Sequence, residues 1–170
     1  MTGMRQKASS TTWLAATALA LLAVCVAAAP AVAGSFPPPG THPYGIDFVG
    51  GEGGGTLYHV DNYTGDVYSI TPAGDATWMF NIAEATGEQY SYYHANGLCF
   101  VASRDDPRSG TFYVTRVDRG APPYVDYVRS FTTEGTHLQT YDVSAIVDRP
   151  RGIAFDGTHF WLSGDNHFVK

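Results

Sequence analysis

The chain has 170 residues, ten basic against sixteen acidic side chains, and a formal charge of −6 at pH 7. No basic stripe runs through it, so the electrostatic footprint of a nucleic-acid binder is missing. Two cysteines, Cys25 and Cys99, leave no room for a disulfide framework.

The first element is a targeting segment. Arg5 and Lys7 form a basic head, Trp13 to Ala29 carries no charge, and Ala31-Val32-Ala33 before Gly34 offers small residues at both positions a signal peptidase reads. Residues 1–33 therefore read as a secretory signal helix cut between Ala33 and Gly34. The alternative is an uncleaved anchor, since the uncharged run approaches the length of a spanning helix. Membrane attachment is expected only in that case, and a lipoprotein site at Cys25 is disfavoured by bulky Val24. Removing the first 33 of 170 residues leaves 137, sufficient for one core, and takes the charge from −6 to −8. Cys99 would then be the sole cysteine. Flanked by Leu98, Phe100 and Val101, it reads as a buried apolar side chain rather than a reactive thiol.

Residues 34–43 contain Pro37-Pro38-Pro39-Gly40, which neither helix nor central strand tolerates, and read as an extended linker. From Tyr44 the pattern is short strands between turns. Gly45–Val49 leads into a Gly50–Gly55 loop. Thr56–Asp61, Asp66–Thr71 and Thr77–Ile82 follow, separated by Asn62-Tyr63-Thr64-Gly65 and Pro72-Ala73-Gly74-Asp75. These four strands predict a meander. The unit then starts again, with strands at Gly97–Ser103, Thr111–Val117, Tyr124–Phe131 and His137–Val143. A third copy begins at Gly152, continues through His159–Ser163, and reaches Lys170 within its third strand.

The openings Gly45-Ile46-Asp47-Phe48, Gly97-Leu98-Cys99-Phe100 and Gly152-Ile153-Ala154-Phe155 stand 52 and 55 residues apart. Leu57-Tyr58, Phe112-Tyr113 and Phe160-Trp161 fall at equivalent places. A repeat of this length built from four strands predicts propeller blades, against the alternative of a sandwich of unrelated hairpins. The expected fold is all-β: an incomplete β-propeller over 44–170, with two four-stranded blades (44–95 and 96–150) and part of a third (151–170). Each opening glycine would sit on the innermost strand, where neighbouring blades crowd.

With their preceding residues, Pro43-Tyr44-Gly45-Ile46, Ala95-Asn96-Gly97-Leu98 and Pro150-Arg151-Gly152-Ile153 resemble blade openings of NHL and streptogramin-lyase type propellers. Residues 152–166 are the closest stretch. The resemblance implies the fold and no activity. A closed ring needs about four to eight blades, so the expectation is a truncated product, or, alternatively, several chains sharing one ring. Either way an isolated copy would expose an apolar face and open strand edges, through which copies could self-associate.

No nucleophile elbow, zinc-protease motif, Cys pair or Walker loop is present, and no cofactor or metal is expected. The Gly50–Gly55 run precedes a strand and so reads as a loop, not a phosphate cradle. His42, His94 and Arg149 each lie three residues before an opening glycine. Equivalent places in successive blades would set them near one rim of the channel, where they could bind an anionic ligand. Tyr90, Tyr92 and Tyr93 lie in the connection between the first two blades and suit a sugar or peptide surface, or packing between blades. Asp61–Asp66 is rich in oxygen ligands but reads as a β-turn, since it lacks the distal bidentate glutamate of a calcium loop. Asn62-Tyr63-Thr64 is a glycosylation sequon in a host that uses one.

Three functional expectations result. The first is a secreted propeller segment that binds a ligand or protein. The second is an extracytoplasmic lyase or hydrolase with His42 and His94 as acid–base groups. The third is a gene fragment without function.

Overall fold

Each glycine-led opening folds as the first strand of its own antiparallel sheet. The computed structural model describes residues 35–51, 54–88, 93–106, 109–118, 125–165 and 167–170. Residues 1–35 and Phe36–Lys170 divide as separate units. The expected signal segment, with its Ala33–Gly34 cleavage site, lies outside the described residues, and the second unit carries every element below.

The first sheet is a meander of β1 (Pro43–Val49), β2 (Thr56–Asp61), β3 (Asp66–Ile70) and β4 (Ala76–Asn81). The second repeats it with β5 (Tyr93–Ala102), β6 (Gly110–Asp118), β7 (Asp126–Thr132) and β8 (His137–Asp142). The third has β9 (Gly152–Phe155), β10 (Phe160–Ser163) and a two-residue β11 (Phe168–Val169). The repeated residues hold equivalent register: Phe48 faces Leu57, Phe100 faces Phe112, and Phe155 faces Phe160. The first two openings also share a bulge, between Pro43 and Gly45 and between Ala95 and Leu98. At the second, the Gly97 amide turns to donate to the Thr115 hydroxyl at 2.7 Å.

The sheets stack through these openings. A Cβ on Gly45 would lie 2.7 Å from the Leu98 amide nitrogen, and one on Gly97 would lie 2.9 Å from Gly152 Cα. Only a residue without Cβ allows that approach. Alternation in the strands then builds two dry layers. Tyr58, Val60, Val67 and Phe80 of the first sheet meet Leu98, Phe100, Phe112 and Phe131 of the second. Tyr58 meets Phe112 edge-on at 4.9 Å, and Phe80 meets Phe131 at 5.5 Å. On the far side of the second sheet, Val128, Val143 and Val147 pack with Leu162 of the third. Three meanders side by side, inner strand against inner strand, are consistent with part of a propeller.

One local expectation is corrected. The apolar run Thr77–Ile82 is not all strand: β4 stops at Asn81 and a short helix α1 (Ile82–Thr86) follows. Asn81 Oδ1 accepts the amides of Ala83 and Glu84, and Gly87 closes the helix in the left-handed region at φ 69°. The Pro-rich lead-in is extended but strapped to the sheet. Phe36 packs against Gly74, and the amides of Thr41 and His42 donate to Asp61 Oδ2 at 2.7 and 2.8 Å.

Candidate functional site

The three inner strands run in the same direction: Gly45 lies beside Leu98 and Asp47 reaches Phe100, while Gly97 lies beside Ile153 and Cys99 reaches Phe155. Their starts, the β2–β3 turn and the β10–β11 connection therefore share one end of the stack. His42, Tyr44, Tyr63, Arg149, Arg151 and Asp165 form this rim.

Asp61 anchors its first part. The Asp61 carboxylate is fully buried and accepts four backbone amides: Thr41 and His42 on one oxygen, Tyr63 and Thr64 on the other at 2.9 and 2.8 Å. Burial pushes its carboxyl upward, but the four N–H groups outweigh that and hold it below the usual range. The turn therefore consumes the oxygens that a cation would need. His42 is pinned over this turn. Its carbonyl accepts the Asn62 amide at 2.8 Å, and its exposed ring lies 5.3 Å from that of Tyr63. The His42 Nδ1 is 2.9 Å from the Thr41 hydroxyl, an exposed contact between neighbours. The Asp61 carboxylate beneath them is spent on backbone amides, so it does not orient that imidazole as a catalytic base requires.

Arg149 and Arg151 form the second part. Arg149 has φ 50°, unusual for a side-chain-bearing residue, and its amide donates to Asp126 Oδ2 at 2.9 Å. Its guanidinium meets Asp165 Oδ2 at 3.0 Å, while Arg151 Nε meets Asp165 Oδ1 at 2.8 Å. The Arg151 bond foremost, with the Arg149 charge, holds the Asp165 carboxyl low. Both arginines remain about half exposed, with 47% and 55% of the side chain open to solvent.

Of the sequence candidates, His42 and Arg149 reach this rim, held by separate partners. Only the backbone of Tyr93 and His94 is described, in register with Asp118 and Val117, and Tyr90 and Tyr92 lie outside the described residues. Asn62 is buried, and its Nδ2 donates to the Ala95 carbonyl and to Asn96 Oδ1, both at 3.0 Å. In the folded chain the sequon amide is thus engaged rather than presented. Arg151 and Asp165 escaped the sequence reading. Their only signal was the spacing of Arg149 and Arg151 on either side of Pro150.

Two features lie away from the rim. Between the first two sheets, buried Arg116 and Arg129 converge on Glu88, with Nη1–Oε2 distances of 2.6 and 2.7 Å. Between β1, β5 and β9 lies an open hollow of about 350 Å³, lined by Asp47, Cys99 and Ala154 among others. Cys99 is buried, and burial first, with the Asp47 charge beside it, pushes its thiol up to about 12. Among the described residues no cluster of metal-ligating side chains occurs, and no helix is long and apolar enough to cross a membrane.

No family model and no curated protein matches the chain. Among solved structures it is similar to a catalytically inactive virginiamycin B lyase from Staphylococcus aureus, with quinupristin, at 16% identity and a TM-score of 0.36. The match covers 76% of this chain and 51% of that one. The chain thus spans about half the length of that structure. A likeness this loose does not bear on what the present chain binds.

Proposed function

We propose that the chain is an exported segment of a β-propeller and serves as a binding module, with the rim around Arg149 and Arg151 as its contact surface. The observation that carries this reading is the shared Asp165. Two half-exposed guanidinium groups are held side by side by a single carboxylate. A ligand carboxylate can pair with either arginine without burying a new uncompensated charge. Tyr44 and Tyr63 add exposed aromatic area at low entropic cost. An anionic ligand with an aromatic or apolar body fits such a surface. Export rests on the basic head, apolar middle and small-residue exit of residues 1–33.

A thermal-shift and calorimetric screen of aromatic carboxylates and short acidic peptides tests the reading. Saturable binding without turnover, weakened at least tenfold by Arg151→Ala, is the expected result. Binding unchanged by Arg151→Ala and Arg149→Ala would overturn the assignment of the rim.

A further inference from the structure

Tyr58 and Val60 of β2 pack into the core shared with the second sheet. His59 and Asp61 alternate to the opposite face, yet both are buried there, at 3% and 0% exposure. The Pro-rich lead-in lies over them. Gly40 crosses Asp61 at φ 81°, so closely that no Cβ fits beside the Asp61 carboxylate. Asp61 Oδ2 accepts the Thr41 and His42 amides, and the Pro39 carbonyl reaches the His59 ring. Residues 35–42 belong to no strand. They form a strap fastened to a carboxylate and laid across an imidazole.

That imidazole is incompletely partnered. Its Nδ1 is 3.3 Å from the Gly45 carbonyl, so the proton of the neutral ring sits on Nδ1. Nε2 is buried with no hydrogen-bond partner. Around the ring, β1 and the strap present the Gly45 and Pro39 carbonyls, β2 the Asp61 charge, and β3 the Tyr68 ring, stacked at 6.0 Å. Burial is the largest influence and holds His59 below its ordinary value, against the two carbonyls and Asp61, which favour the charged ring.

We propose that the strap is an acid-operated latch: charging of His59 beneath it lifts residues 36–42 off the first sheet. The ring takes a proton more readily once the strap has opened and water reaches it. The closed strap is therefore favoured above the ordinary imidazole range and loses that advantage as pH falls through the lower folded value. Burial raises the Asp61 carboxyl, but its four amides outweigh that, so it stays ionised across this window. Opening bares the His59–Asp61 side of β2 and takes His42 from its place over Tyr63.

Amide hydrogen exchange on the full chain, read as protection factors between about pH 7.5 and 5, reports this local opening. Thr41 and His42 should lose protection several-fold as pH falls, while the core amide of Phe112 keeps its own. His59→Gln cannot charge and should hold the strap's protection across the window. His42 remains in that variant, so any effect of its own titration would persist there. Gly40→Ala sets a methyl against the Asp61 carboxylate and should leave both amides unprotected at either pH. It should also raise the His59 titration midpoint, followed by NMR, towards that of an exposed imidazole. Strap protection that ignores pH, or that falls equally in His59→Gln, would overturn the proposal. So would a His59 midpoint that is the same in the parent and Gly40→Ala chains. These readouts need no ligand, so failure here leaves the rim reading standing, and the reverse.

Discussion

Asn62 of the first sheet donates its amide to Asn96 Oδ1 at 3.0 Å, and Asn96 in turn donates to the Pro150 carbonyl at 3.2 Å. One buried side-chain relay thus ties the openings of all three sheets. Asn96→Ala removes both links and takes from the buried Pro150 carbonyl its Asn96 donor, while Asn62 keeps the Ala95 carbonyl; a buried group so stranded costs about 1–3 kcal/mol. Urea unfolding should show a lower midpoint with little change in slope. A midpoint equal to the parent's would show that the relay does not hold the sheets together.

Gly97→Ala places a methyl 2.9 Å from the backbone of Gly152 and Ile153, where no flexible side chain can give way. Overpacking of this kind costs about 1–3 kcal/mol. Gly51→Ala, with nothing within 4 Å, is the matched control and should be neutral. Equal thermal midpoints for the two variants would contradict the close approach of the inner strands.

Glu88→Gln leaves Arg116 and Arg129 between the sheets without the carboxylate that bridges them. Breaking a buried pair from one side costs about 3–5 kcal/mol, and the partial exposure of Glu88 places this case toward the lower end. Pairing Glu88→Gln with Arg129→Met should recover part of the loss. The double-variant cycle measures that coupling, and strict additivity would refute it.

These long-range ties also mark where the sequence stops being legible. The strands, their order and the three openings follow from alternation and turn residues, and the crowding at Gly45 and Gly97 follows from the repeat. The pairing of Glu88 with arginines 28 and 41 residues away does not, because no local pattern records a contact across sheets. Helix α1 was legible and was missed. Asn81 followed three residues later by Glu84 is an N-terminal capping pattern, but the apolar run Trp78-Met79-Phe80 carried the strand reading through Ile82. At the rim, Arg149 was found through its spacing. Arg151 was hidden because its partner, Asp165, comes from the β10–β11 connection.

Stability should depend on pH through Asp61. Its folded carboxyl lies below its ordinary value, so the unfolded chain binds the proton more readily. The stabilisation is therefore present above the unfolded carboxylate range and is lost as pH falls through the folded value. Asp61→Asn should unfold at lower urea near neutrality and show a flatter acid limb than the parent. Parallel acid limbs in the two chains would remove Asp61 from the account.

Cys99 has the opposite sign. Its thiol is pushed up to about 12 in the folded chain. Stability from keeping it protonated is full below the unfolded thiol range and is lost as pH rises toward that value. Alkylation by a maleimide at neutral pH should be slow and should track urea unfolding. Rapid labelling in native buffer would show that the thiol is not packed between β1 and β9.

The stacking of inner strand on inner strand is tested most directly by nuclear Overhauser contacts between the opening glycines. The account predicts cross-peaks from Gly45 Hα to the Gly97–Leu98 backbone and from Gly97 Hα to Gly152 Hα. Their absence, or contacts that place any one of these glycines against a different part of the chain, would contradict it.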